Sequence, residues 1–62
     1  MHQNDKLKKV QKQLRALDRI RKDLAVLQPS FRDVEARRDI RLARRRVASV
    51  ELWLNSLVKR IT

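Results

Sequence analysis

The sequence predicts an all-α fold, an antiparallel two-helix hairpin that dimerises into a four-helix bundle or coiled coil. Three observations point there. The chain has no Gly and a single Pro, Pro29. Apolar residues recur at three- and four-residue spacings on both sides of that proline. With only 62 residues, a lone chain buries about 60% of its unfolded surface, so further burial against a second copy is expected. The absence of Gly and Cys argues against glycine phosphate loops, tight positive-φ hairpin turns, disulfide frameworks and thiolate metal sites. β-Sandwiches and α/β nucleotide-binding domains are therefore poor candidates.

Helix one is expected over about residues 5–27, with Asn4 or Asp5 as its cap. Its apolar stripe is Leu7, Val10, Leu14, Leu17, Ile20, Leu24 and Leu27. The average spacing is shorter than the helical repeat, as expected for left-handed winding about a partner. The turn is expected at residues 28–30, Gln28-Pro29-Ser30. The proline disfavours the α region at Gln28. Ser30 is a good N-cap, and Asp33 follows three residues later in a variant of the capping box. So short a link makes the helices antiparallel neighbours.

Helix two is expected over about residues 31–61. It carries an unbroken heptad seam, with Ile40, Val47, Leu54 and Ile61 at a and Ala36, Ala43, Val50 and Leu57 at d. Val58 widens the seam. Helix two is expected to overhang helix one, leaving Leu57, Val58 and Ile61 without an intramolecular partner. A second stripe, Phe31, Leu42 and Trp53, falls on one line of the helix at almost three turns per step. The residues expected in helix packing and the dimer interface are Leu14, Leu17, Leu24, Ile40, Val47, Val50, Trp53, Leu54, Leu57 and Ile61. The whole chain, 1–62, forms one helical-hairpin domain.

The net charge is +10, from 17 Lys and Arg against 7 Asp and Glu. On helix one, Lys8, Lys12, Arg15, Arg19 and Lys22 form a narrow ridge, centred about 180° from the predicted apolar stripe. On helix two, Arg37, Arg38, Arg41, Arg44 and Arg45 cluster away from the seam. Ordinary helix surfaces interleave both signs. Asp18–Lys22, Asp33–Arg37 and Glu35–Arg38 are the expected ion pairs, and they neutralise few of these cations. Uncompensated basic stripes are the footprint of a nucleic-acid partner. Arg outnumbers Lys, and its planar fork suits phosphate. The ten ridge and cluster residues are therefore the expected phosphate contacts, with DNA and RNA left open. A rigid ridge follows a backbone but does not by itself read sequence. Gln11 and Gln13 are weak candidates for base contacts, and two aromatics are too few for a stacking platform.

No DNA-binding helix-turn-helix or basic-zipper motif can be spelled out. In layout the chain resembles the short plasmid RNA-binding proteins that dimerise as helical hairpins, the Rop type. No sequence motif is shared and those proteins are acidic, so the resemblance carries no residue role across.

Enzyme chemistry lacks its parts. His2 is the only His and is expected to face solvent near the terminus. Asp18 and Asp23 do not share a helix face. Asp33, Glu35 and Asp39 lie among arginines, and Ser30, Ser49 and Ser56 have no base. A two-layer hairpin is expected to form no concave pocket. The expectation is a non-enzymatic protein with no metal and no cofactor. No stretch is apolar enough to span a membrane, and the regular aliphatic stripes suit a helix better than a lipid surface. A cytoplasmic location is expected. The alternative function is an adaptor or assembly factor that docks its apolar stripe and arginines on an acidic protein partner.

Overall fold

The computed structural model describes residues 2–62, with the surroundings of side chains from Asp5 onward. It is a helical hairpin. Helix α1 spans His2–Leu27, a 3-10 turn spans Gln28–Ser30, and helix α2 spans Val34–Ile61. No strand occurs among the described residues. α1 starts earlier than predicted. Asp5 thus lies in its first turn, where a carboxylate complements the helix dipole. The expected cap at Asn4 and the placement of the His2 side chain lie outside the described side chains.

The turn is longer than predicted and is capped differently. Ser30 ends the 3-10 turn, and the N-cap of α2 is Asp33, whose Oδ1 accepts from the Glu35 backbone N–H at 3.1 Å. Pro29 sits in the first turn of the 3-10 segment, where its missing N–H deprives no acceptor. The chain therefore continues helically through Gln28 and Pro29 and extends only afterwards. Phe31 lies in extended backbone before α2, so only Leu42 and Trp53 of the predicted second stripe share a helical line. At the other end, Thr62 closes α2, its N–H and hydroxyl both donating to the Val58 carbonyl at 2.9 Å. Lys59 and Arg60 in that last turn favour the negative end of the dipole.

The seam between the helices is half-buried throughout, and no described residue is fully buried. On α2 it comprises Ala36, Ile40, Ala43, Val47, Val50, Leu54, Val58 and Ile61, flanked by Arg44 and Glu51. Leu57 is 42% exposed and yields its place to Val58. The predicted overhang is not seen. α1 begins earlier than predicted, at His2, and Val58 and Ile61 are half-buried.

The α1 seam also differs from the prediction. Ile20 and Leu27 are 46% and 45% exposed, whereas Arg21 and Gln28 are half-buried. The half-buried series Leu7, Val10, Leu14, Leu17, Arg21, Leu24, Gln28 keeps a strict three-four alternation, which is the heptad repeat. Apolarity favours Ile20, but register places Arg21. The long stem of Arg covers apolar surface while its head reaches a polar partner.

The molecule is a rod of 50 × 15 × 10 Å with a radius of gyration of 14.6 Å. A compact chain of this length has a radius of about 10.5 Å, so the hairpin does not fold back into a globule.

Candidate nucleic-acid interface

Replacing Ile20 and Leu27 with Arg21 and Gln28 rotates the α1 seam by roughly 30° toward the basic ridge. The ridge centre then lies about 150° round from the seam, rather than diametrically opposite. On α2 the centre of Arg37, Arg38, Arg41, Arg44 and Arg45 lies about 125° round from its seam, in the same rotational sense. A two-fold perpendicular to both axes relates antiparallel helices. Rotations of the same sense from the two seams therefore lean toward the same broad side of the hairpin. Ridge and cluster thus form one basic side. Lys8, Arg15, Arg19, Lys22, Arg37, Arg41 and Arg45 are exposed there or at its outer edges, Lys12 and Arg38 are exposed facing directly away from their seams, and Arg44 is half-buried at the seam edge.

Ion pairing leaves this side almost uncompensated. Among the described residues, only two of the 17 Lys and Arg contact a carboxylate. Arg21 holds Asp18 at 2.7 Å and Glu51 at 2.9 Å, and Lys22 holds Asp18 at 3.0 Å. Lys22–Asp18 is the pair expected from sequence. Asp33–Arg37 and Glu35–Arg38 do not form among the described residues. Lys22 and Arg21 hold the Asp18 carboxyl below its ordinary range by hydrogen bond and charge. Glu51, then Asp18, raises Arg21. Both acids near the basic side are thus already engaged by the seam edge.

An open concavity does form, contrary to expectation. Its volume is about 310 Å³ and it is lined by Arg21 of α1 and Arg41, Arg44, Arg45 and Ala48 of α2. The Arg44 Nη1 donates to Gln28 Oε1 at 2.8 Å, while its Nε–H is shielded and meets no acceptor. Arg21, Gln28 and Glu51 are the positioning residues that hydrophobic patterning misses. The signal that finds Arg21 and Gln28 is the strict alternation on α1 continued through polar residues; Glu51 leaves no such signal.

The opposite broad side is different in kind. Ile20 and Leu27 of α1 and Leu42, Trp53 and Leu57 of α2 turn there, in the other rotational sense from the seam. All five are more than 40% exposed, and Trp53 reaches 68%. Trp53 therefore takes no part in the intramolecular seam. Val26, Val34 and Leu52 are exposed singly on the basic side, which is ordinary for a protein surface.

Among the described residues no His, Cys, Asp and Glu group could hold a metal ion, and no helix is long and apolar enough to cross a membrane. No protein-family model, curated protein or solved structure matches the chain.

Proposed function

We propose that this chain is a small non-enzymatic nucleic-acid-binding protein that contacts the phosphate backbone through its basic side. The observation that carries this reading is the gathering of cations from both helices toward one broad side, of which only Lys22 has an acidic partner. A basic side about 40 Å long matches the repeating charge of a polyanion. Backbone contact predicts modest sequence preference and strong salt dependence, with log K falling by about 0.9 per log unit of salt for each phosphate neutralised. A salt-titrated binding assay with duplex DNA, structured RNA and single strands tests it. Affinity that does not change between low and moderate salt overturns it.

The working form is a homodimer joined through the apolar side. The chain exposes 5597 Å², against about 4,200 Å² for a compact monomer of its mass. For two chains the excess is about 2,800 Å², within the range of obligate homodimer interfaces. The five exposed apolar residues supply the inner layer of a four-helix bundle. Joining apolar sides keeps the ridge and cluster cations of the two copies on outer surfaces, which limits their repulsion, with Lys9, Arg46 and Arg60 left beside the joint. Sedimentation at micromolar concentration tests this. A mass equal to one 7.4 kDa chain overturns the dimer. It would leave the apolar side for an acidic protein partner, the adaptor alternative.

A further inference from the structure

We propose that the concavity beside Arg44 is a discrete seat for one phosphate group. Arg41, Arg44 and Arg45 are its ligands and Arg21 is its fixed wall. The proposal depends on the nucleic-acid reading only for the source of the phosphate.

The seat follows from spacing. Residues 41, 44, 45 and 48 recur at helical i, i+3, i+4 and i+7, so they stack on one stripe of α2. Three of them are arginines, and the fourth, Ala48, is too short to fill the space beside them. The result is a recess walled by arginine side chains, with room left beside Ala48. None of Arg41, Arg44 and Arg45 contacts a carboxylate, because the nearby acids Asp18 and Glu51 are taken by Arg21 and Lys22. Like charges gathered at this spacing repel one another, and an anion between them turns repulsion into attraction.

Arg44 is partly prepared for this role. Gln28 fixes one end of its guanidinium at 2.8 Å. Its Nε–H stays shielded without an acceptor, a standing cost that is removed when the fork turns toward an incoming oxygen. Arg21 differs, since its charge is already met by two carboxylates. It bounds the seat and holds α1 against α2 without being needed as a ligand. The chemistry of the lining selects the ligand class. Three arginines lining one recess with no carboxylate partner suit a tetrahedral oxyanion with several oxygens. The lining offers no aromatic ring for a base to stack on and no free carboxylate for a sugar hydroxyl. The phosphate itself is therefore what is recognised, whether it belongs to a nucleic-acid backbone or to a free phosphate.

The first test follows the arginine Nε–H signals of the labelled full chain by NMR during titration with inorganic phosphate, at ionic strength matched with chloride. Arg41, Arg44 and Arg45 are expected to shift saturably while Arg15 and Arg19 on the ridge stay still. Uniform movement of all arginines, or of none, overturns the seat. Arg44→Lys keeps the charge and removes the fork, and it is expected to weaken phosphate binding. Unchanged binding removes Arg44 from the seat.

The second test compares two variants with equal charge loss at exposed positions, R41Q/R45Q and K8Q/K12Q, with helicity checked by circular dichroism. R41Q/R45Q is expected to lose about tenfold more affinity for a duplex. Equal losses overturn the seat and leave the basic-side reading standing. Saturable phosphate shifts in a chain that binds no nucleic acid do the reverse. They keep the seat, assign it to free phosphate, and overturn the nucleic-acid reading.

Discussion

The two broad sides of this hairpin are built by the same two helices, yet they bear opposite chemistry. One, with its outer edges, carries Lys8, Lys12, Arg15, Arg19 and Lys22 beside Arg37, Arg38, Arg41 and Arg45, all exposed and all but Lys22 without carboxylate partners. The other carries Ile20, Leu27, Leu42, Trp53 and Leu57, each more than 40% exposed. Between them runs a seam that covers its side chains only by half. The contrast teaches that a chain too small to own a core can still segregate its surface. Heptad register commits one stripe per helix to the seam, and the remaining positions divide by rotational sense into two sides. Each side is then free to meet a different kind of partner.

The largest effect should come from destroying one side while sparing the other. Reversing Lys12, Arg15 and Arg19 to Glu removes three cations and adds three anions to the ridge. Nucleic-acid affinity at low salt is expected to fall by about a thousandfold or more. Helical circular dichroism and dimer mass should be unchanged. Loss of the dimer in this variant would show that the two sides are not separable.

The reciprocal change acts on the apolar side. Trp53→Ala is expected to weaken self-association by about 2 kcal/mol, in the range of interface aromatic anchors. The shift toward the 7.4 kDa chain mass is read by sedimentation. Affinity of each chain for a short duplex should change much less. If Trp53→Ala abolishes biological activity and the ridge reversal does not, the adaptor reading takes precedence.

The seam sets a smaller scale. Leu14→Ala or Leu54→Ala removes a half-buried side chain, and each is expected to cost about 1–2 kcal/mol, below the cost at a fully buried site. Thermal melts check this. Added heparin or RNA is expected to raise the melting temperature of the parent chain, because a ligand that binds only the folded form stabilises it.

The smallest effect concerns pH. Asp18 has its folded-state pKa lowered below the ordinary value of 3.8, first by the Lys22 hydrogen bond and then by charge from Lys22 and Arg21. A lowered carboxylate contributes stability that is present above its unfolded value and is lost as pH falls through its folded value. A modest drop in melting temperature is therefore expected below about pH 4. Asp18→Asn should flatten that drop, and added salt should shrink it, since the pair is exposed.

Ile20 and Arg21 show how far the sequence could be read. Hydropathy alone assigns Ile20 to the seam, and with it a ridge on the far side of α1. Register assigns Arg21, whose partner Glu51 lies thirty residues away on α2. That partner is invisible to local periodicity. The cap of α2 went the same way. Ser30 and Asp33 both have N-cap chemistry, and the choice of Asp33 depends on how far the 3-10 turn carries the chain past Pro29. The α2 seam was legible almost residue by residue, because its alternation of apolar positions has no polar interruption. Only the exchange of Leu57 for Val58 escaped it.

The sequence by itself determined two long helices, one break near Pro29, an apolar stripe on each helix and a large excess of cations. Each of these is encoded by neighbours three and four residues apart, which share a helix face whatever the rest of the chain does. Tertiary structure alone decided that the ridge and the arginine cluster share one broad side, that Trp53 and Ile20 share the other, and that four arginines surround one recess. Those outcomes depend on how far each helix is rotated about its own axis. That rotation is fixed by contacts such as Arg21–Glu51 and Gln28–Arg44, whose partners meet only when the hairpin closes.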